Sequence, residues 1–448
     1  MSAQIIPTRT SAETALAEAF GAAKSTLPGG ADVIKLREDS FAVFHEAGLP
    51  HRRVEAWHYT DLRALMRDAL PIVAAPTAAA IEALGKEFAA PGAPSQRLVL
   101  VDGVFAPQLS DALPAGVTVR SLADVLTEGR ADLIALLSGQ GLGAQDPIVS
   151  LNAALMQDGV VIEVAPGISV VEPINLIYAT ASSTPAARFS RSLVVVGAGA
   201  SIRLAESSHG AGARVGQTYG CLIFSVGDEA KVDHSAMVTQ TLPGSVRLET
   251  FIAHLGAKVK FDSFALIAGA GLVRRQIFLR FEGADSEGSL RGVSLLRGRE
   301  HADTTLFVEH AAPGCTGREI FKYILDEEAT GVFQGKIHVA PLAQKTDGRM
   351  LSKALLLSDT VAMNNKPELE IFADDVACGH GATCGGLNVD QLFYLQARGL
   401  PFAEAEALLL EAFAAELVDE IGHEGLIEAF RSEVSAWLSA RVPARVEA

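Results

Sequence analysis

Residues 227–234 read Gly227-Asp-Glu-Ala-Lys231-Val-Asp-His234, a tight turn that opens a strand in which charged and apolar residues alternate. The same device recurs on either side. Gly199-Ala-Ser201, Gly256-Ala-Lys258 and Gly283-Ala-Asp-Ser286 each open a comparable strand. The glycines stand 227 − 199 = 28, 256 − 227 = 29 and 283 − 256 = 27 residues apart. A steady period in this range marks a solenoid, whose rungs cannot bury their own apolar faces and so stack on one another. Short runs of β-branched or alternating residues surround the turns, among them 160–164, 192–196, 221–226, 248–254, 259–264 and 276–281. No convincing helix interrupts them before about residue 388. Residues 151–387 are therefore expected to form a mainly β stack, a β-helix. A β-sandwich with coincidental turn spacing is the alternative.

The flanks read differently. Residues 1–150 are expected to be mostly helical: 12–23 is rich in Ala, Glu and Leu, 31–47 sets Val33, Ile34, Phe41, Val43 and Phe44 among charges, and 54–67 resumes the pattern after Leu49-Pro50. Pro71, Pro76, Pro91 and Pro94 punctuate the next stretch, with one strand at 97–101 and a helix over 122–137. Residues 388–448 form a helical tail. Asn388 caps a helix three residues before Gln391, Gly399 ends it, and Pro401 starts the next. In that second helix Ala405, Leu408, Leu409, Ala412, Phe413, Ala415 and Leu417 read as one apolar stripe, and a last helix runs over 426–440.

A net charge of −16 argues against nucleic acid as the main partner, since phosphate binding wants a basic face. Residues 1–9 show no basic-then-apolar signal pattern, and the most apolar run, 192–202, is too short to span a membrane. Cys221, Cys315, Cys378 and Cys384 are irregularly spaced and do not form a secreted disulfide framework. A cytoplasmic protein is expected.

Several motifs fail. The run Gly197-Ala-Gly199-Ala-Ser-Ile202 lacks the third glycine of a dinucleotide fingerprint. Gly331-Val-Phe-Gln-Gly335-Lys336-Ile337 is one residue short of a phosphate loop and has Ile337 where a magnesium-binding hydroxyl belongs. No nucleotide site of the chain's own is expected. His423-Glu424 lacks the second histidine of a zinc protease. A β-helical carbohydrate-active enzyme would need clustered carboxylates, for which Asp374-Asp375 is a poor match.

What stands out chemically is Cys378-Gly-His380-Gly-Ala-Thr-Cys384. Thiolate and imidazole are ligands for iron–sulfur clusters, zinc or copper. Three ligands are one short of a closed structural zinc site, so a site completed by another chain is attractive. Cys384 also reads as a small apolar substitute in a turn. Cys221 reads as core and Cys315 as a small buried thiol in a Gly/Pro-rich turn. His234, His254 and His338 alternate within strands as structural residues. His301 and His310 flank a strand where they could face a groove, and carry no assigned role.

Three blocks carry a resemblance: Arg53-Val-Glu55-Ala-Trp57-His-Tyr59-Thr60-Asp61-Leu62; the run from Lys353 through Ser358, Asn364-Asn365-Lys366-Pro367-Glu368 to Glu370; and Ala373-Asp-Asp375-Val-Ala-Cys378-Gly-His380-Gly-Ala-Thr383, continuing to Gln391, Phe393-Tyr394-Leu395 and Arg398-Gly399. In these the chain resembles the SufB/SufD family of the SUF iron–sulfur cluster assembly machine. The first block and the His-Gly-Ala-Thr motif favour the SufD branch over a SufB-type principal scaffold. The resemblance spans nearly the whole chain and is weakest over residues 70–150.

It implies a right-handed parallel β-helix with helical ends, and a non-catalytic subunit. The implied partners are a SufB-like paralogue and a SufC-like ATPase, the latter held by the C-terminal helices. It also implies that His380 and Cys378 lie where the far rungs of two β-helices meet, beside a transient iron–sulfur cluster shared with the SufB-like chain. The family usually has an apolar residue at the position of Cys384. Homodimer versus mixed complex, iron versus sulfur delivery, and flavin binding stay open.

Overall fold

The computed structural model describes residues 9–85, 95–138, 141–210, 215–239, 242–269 and 271–441. The Pro91 and Pro94 breaks and residues 1–8 of the N-terminal reading lie outside them.

The periodic region is a parallel β-solenoid of about eight turns. Successive strands go alternately to two sheets, so that strands 160–164, 186–196, 216–226 and so on to 362–371 stack in one, while 174–179, 201–209, 231–239 and so on to 377–385 stack in the other. Neighbouring rungs are in parallel register: Leu248 lies between Tyr219 and Arg274, and Ser263 between His234 and Leu290. Side chains of one parity fill the lumen, with Phe224, Phe251, Phe261, Phe281 and Phe333 among the fully or almost fully buried.

The turns that revealed the period stack as well. Gly199 N–H donates to Asp228 O, Glu229 N–H to Ala257 O, and Lys258 N–H to Ala284 O, each at 2.8 Å. The left-handed position of the turn is held by Gly199 (φ 64°), Glu229 (60°), Lys258 (56°) and Asp285 (60°). Gly227 and Gly283 serve a different need. A Cβ on either would come within 2.8 Å and 2.0 Å, respectively, of the backbone nitrogen of the turn beneath, so these glycines allow the close stacking of rungs.

The N-terminal region covers the outside of one sheet. Helices Ser11–Ala23 and Ala31–Ala47 form as expected, the first closed by a capping box between Thr10 and Glu13. Leu16, Phe20 and Trp57 pack on Phe189, Tyr219 and Leu248 of the sheet.

The helix expected over 54–67 is absent; a 3-10 turn, Glu55–Trp57, and a single α-turn, Leu62–Leu65, take its place. Tertiary contacts override the pattern here. The Arg274 guanidinium lies 3.7 Å from the Trp57 ring centre, Trp57 Nε1 donates to Asp146 Oδ2 (3.0 Å), and Thr60 donates to Asp303, itself the ion-pair partner of Arg274. The helix expected over 122–137 is two, Leu122–Glu128 and Ala131–Leu137, broken where Gly129 turns left-handed (φ 71°).

Strands Gln96–Val101 and Val117–Ser121 join the solenoid sheets at their first rungs. Helices Phe402–Val418 and Glu424–Arg441 cover the outside of the other sheet, where Leu410, Ala414, Leu417, Phe430 and Val434 meet Phe264, Leu266 and Val293.

The buried face of helix Phe402–Val418 differs from the expected stripe. Ala405 and Leu417 are buried, but Leu408 is 46 % exposed, and Leu410, Ala414 and Val418 complete the contact. The helix is apolar nearly all round, so periodicity alone does not select its inner face.

Candidate functional site

The solenoid's last two strands are Ala362–Ile371 and Ala377–Gly385. Among the described residues no strand pairs beyond either of them. Register fixes which of their side chains face the lumen. Gly348, Met350, Ser352 and Ala354 of the rung beneath are buried and stand under Cys378, His380, Ala382 and Cys384. In that last rung the same lumen-facing positions are uncovered: Cys378 is half-buried, and His380, Ala382 and Cys384 are exposed. Met363, Asn365 and Leu369 of the other sheet are partly covered. The motif that carries the metal-type ligands therefore forms the floor of an open solenoid mouth.

The geometry decides how many of these ligands act together. Residues two apart on a strand sit on one face roughly 7 Å apart, and six apart roughly 20 Å. Cys378 and His380 are therefore neighbours, while Cys384 is remote. Among the described residues no three His, Cys, Asp or Glu side chains converge as a metal site. Among the described residues, Cys378 and His380 therefore make at most a two-ligand, incomplete site.

Cys384 is not in a turn, as the sequence suggested; it lies in the strand, and its sulfur accepts from Asn365 Nδ2 at 3.1 Å. Asn365 is oriented in turn by Ser352, whose hydroxyl donates to Asn365 Oδ1 at 2.7 Å.

Burial pushes the Cys378 thiol above its ordinary value. The Gly348 backbone works against this, while the Asp347 and Glu319 carboxylates add to it. Metal binding by Cys378 thus requires loss of a reluctant proton, which the charge of an arriving ion favours. His380, whose imidazole can bind a metal while neutral, carries no such requirement.

The other cysteines and histidines lie elsewhere. Cys221 and Cys315 are buried, and burial raises both thiols. Cys315 donates to Gly283 O at 3.3 Å. His234 is held in the lumen by Glu206 and Ser263, and burial lowers its pKa. His254 meets Glu282 at 2.8 Å. His310 does not face a groove. It is fully buried in the lumen, stacked on Phe281, and burial drives its pKa down to about 4. His301 contacts Thr60 under the N-terminal region.

The structure adds a surface that the sequence reading missed. Helix Val389–Ala397 follows the last rung and has no buried residue; Val389, Phe393 and Tyr394 are 75 %, 72 % and 56 % exposed. With Phe372 (60 % exposed) they leave apolar side chains in solvent around the mouth. The available signal was the mismatch between apolar residues in this helix and a fold with nothing left to cover them.

Comparison with known proteins agrees with this architecture. Residues 178–413 match the model of the SufBD core domain of SUF-system FeS cluster assembly, and residues 12–176 match the SufBD N-terminal region. The chain belongs to the SufB/SufD family. An iron–sulfur cluster assembly SufBD family protein of Synechocystis is 32 % identical over 87 % of this chain and 87 % of its own length. The SufD proteins of Escherichia coli and Bacillus subtilis are 29 % and 26 % identical, over 88 % and 62 % of this chain and 90 % and 64 % of theirs. Among the described residues of this SufB/SufD-family chain, no helix is long and apolar enough to cross a membrane.

Proposed function

We propose that the chain is a non-catalytic, SufD-like subunit of a cytoplasmic SUF assembly scaffold. Its open mouth meets the matching end of a SufB-like paralogue, and its C-terminal helices hold a SufC-like ATPase. A nascent iron–sulfur cluster forms at the junction as cargo. His380 offers it an imidazole nitrogen, Cys378 a thiolate once deprotonated, and the paralogue supplies the remaining ligands.

The observation that carries this reading is the uncovered last rung, which presents a thiol and an imidazole side by side and, among the described residues, no complete site. The names of the SufD relatives support the choice of branch. The absence of a phosphate-loop motif fits a division of labour in which another subunit hydrolyses ATP.

The test is His380→Ala in the co-expressed assembly. The variant complex is expected to copurify intact while cluster build-up, followed by absorbance during anaerobic reconstitution, falls several-fold. Unaltered build-up removes His380 from the site, and failure to copurify with either partner removes the scaffold reading.

A further inference from the structure

Inside the solenoid, well away from its mouth, one stretch of the lumen is polar. Tyr178, Arg188, Glu206, Arg247, Glu249 and Arg275 line a cavity of about 60 Å³. Strand parity places them indoors. Glu206 shares its face with Ile202 and Leu204, Arg247 and Glu249 share theirs with Phe251, and Arg275 lies between Val273 and Ile277. Gly220, the register neighbour of Glu249, makes the room: a Cβ there would meet nothing within 4 Å.

Charge balances in this stretch, but hydrogen bonding does not. Arg188 is paired with Asp102 at 2.7 Å, which leaves Arg247 and Arg275 against Glu206 and Glu249. Both Glu206 oxygens are taken, one by His234 Nε2 (2.9 Å) and one by the Tyr178 hydroxyl (2.7 Å). Glu249 Oε1 accepts from Arg247 Nε, and Arg247 Nη1 donates to Ser208 (2.7 Å).

Arg275 is left over. It is 3 % exposed, Glu249 Oε2 lies 3.6 Å from its Nη1, and Nε and Nη1 have no hydrogen-bond acceptor among the described residues. Buried donors in that state are costly, so an acceptor is called for. A water would bring two hydrogens of its own, and of the four carboxylate oxygens only Glu249 Oε2 is, among the described residues, without a hydrogen bond to receive one. An anion only accepts, and the cavity has room for one small ion.

We propose that the lumen at Arg275 is a binding site for a small monovalent anion of halide size, held by the Nε–H and Nη1–H groups in the space over Gly220. The site is independent of the open mouth and of any partner.

Bromide is the probe. Crystals of the full chain grown in sodium bromide are expected to show an anomalous peak beside Arg275, absent in Arg275→Met. In solution, replacing gluconate by bromide at constant ionic strength raises Tm of the unmodified chain by about 2–4 °C and leaves Arg275→Met unmoved. Gly220→Val fills the space with the guanidinium intact and is expected to lose both signals, which keeps the test alive if Arg275→Met does not fold. Water density alone at Arg275, or a bromide response that survives in Gly220→Val, overturns the proposal.

Discussion

The two ends of the solenoid are made from the same kind of strand and finished in opposite ways. At the first rungs the chain ends each sheet with a short antiparallel strand of its own and covers the lumen. Val104–Phe105 runs antiparallel to Gln96–Val101, Val117–Ser121 runs antiparallel to Val160–Val164, and Leu98 to Val101 are fully buried. At the last rung nothing in the described chain pairs with Ala362–Ile371 or Ala377–Gly385 on their outer edges, and the lumen positions stand in solvent. An unpaired strand edge is a template for another chain. The fold shields the lumen at one end and leaves it uncovered at the other.

The largest expected effect comes from placing the same charge at the two ends. Leu98→Asp buries an unpaired carboxylate and is expected to cost about 4 kcal/mol or more in chemical denaturation, enough to unfold much of the protein. Ala382→Asp places the charge in the open mouth. It is expected to change the stability of the isolated chain by no more than about 0.5 kcal/mol while preventing copurification of the SufB-like paralogue. Equal destabilisation by both would mean that the last rung is covered after all.

A second, smaller effect sharpens where the covered lumen begins. Glu319 lies in the column beneath Met350 and His380, is 1 % exposed, and burial raises its pKa to about 8. In the folded chain it keeps its proton where the unfolded chain has lost it, so its contribution to stability falls as pH rises from the unfolded value near 4.5 to about 8. His310, lowered to about 4, acts in the opposite direction up to its unfolded value of 6.5. The two slopes oppose each other below pH 6.5, and Glu319 alone remains above it. Between pH 6.5 and 8 the unmodified chain is expected to lose about 2 kcal/mol more stability than Glu319→Gln. Parallel pH profiles would show that water reaches two rungs below the mouth.

The smallest effect is kinetic. In the folded chain iodoacetamide is expected to label Cys384 first and Cys378 more slowly, leaving Cys221 and Cys315 unmodified, as peptide mapping by mass spectrometry would show. Labelling of Cys378 ahead of Cys384 would contradict the half-covered setting of its thiol.

Much of the fold was legible because its repeat is long and regular. The turns at Gly227, Gly256 and Gly283 reported the rung length, although the left-handed residue proved to be Glu229, Lys258 or Asp285 and the glycines serve stacking instead. The segment from Val54 to Arg67 misled because its residues answer to Arg274 and Asp303, more than 200 positions away. Cys378 and His380 stand out as candidates by residue type and family likeness. That they share a lumen face, and that Cys384 is too distant to join them, is set by strand pairing, which spacing alone does not give. The exposed helix Val389–Ala397 and the Arg275 cavity were invisible for the same reason: each is defined by what does or does not lie opposite.

The most direct measurement is hydrogen exchange on the chain alone and after addition of the SufB-like paralogue. Amides of 362–371 and 377–385 are expected to gain protection on complex formation, while 96–105 and 117–121 stay as they were. Protection gained only elsewhere, with the last rung exchanging as in the isolated chain, would contradict the claim that the open end is the partner's seat.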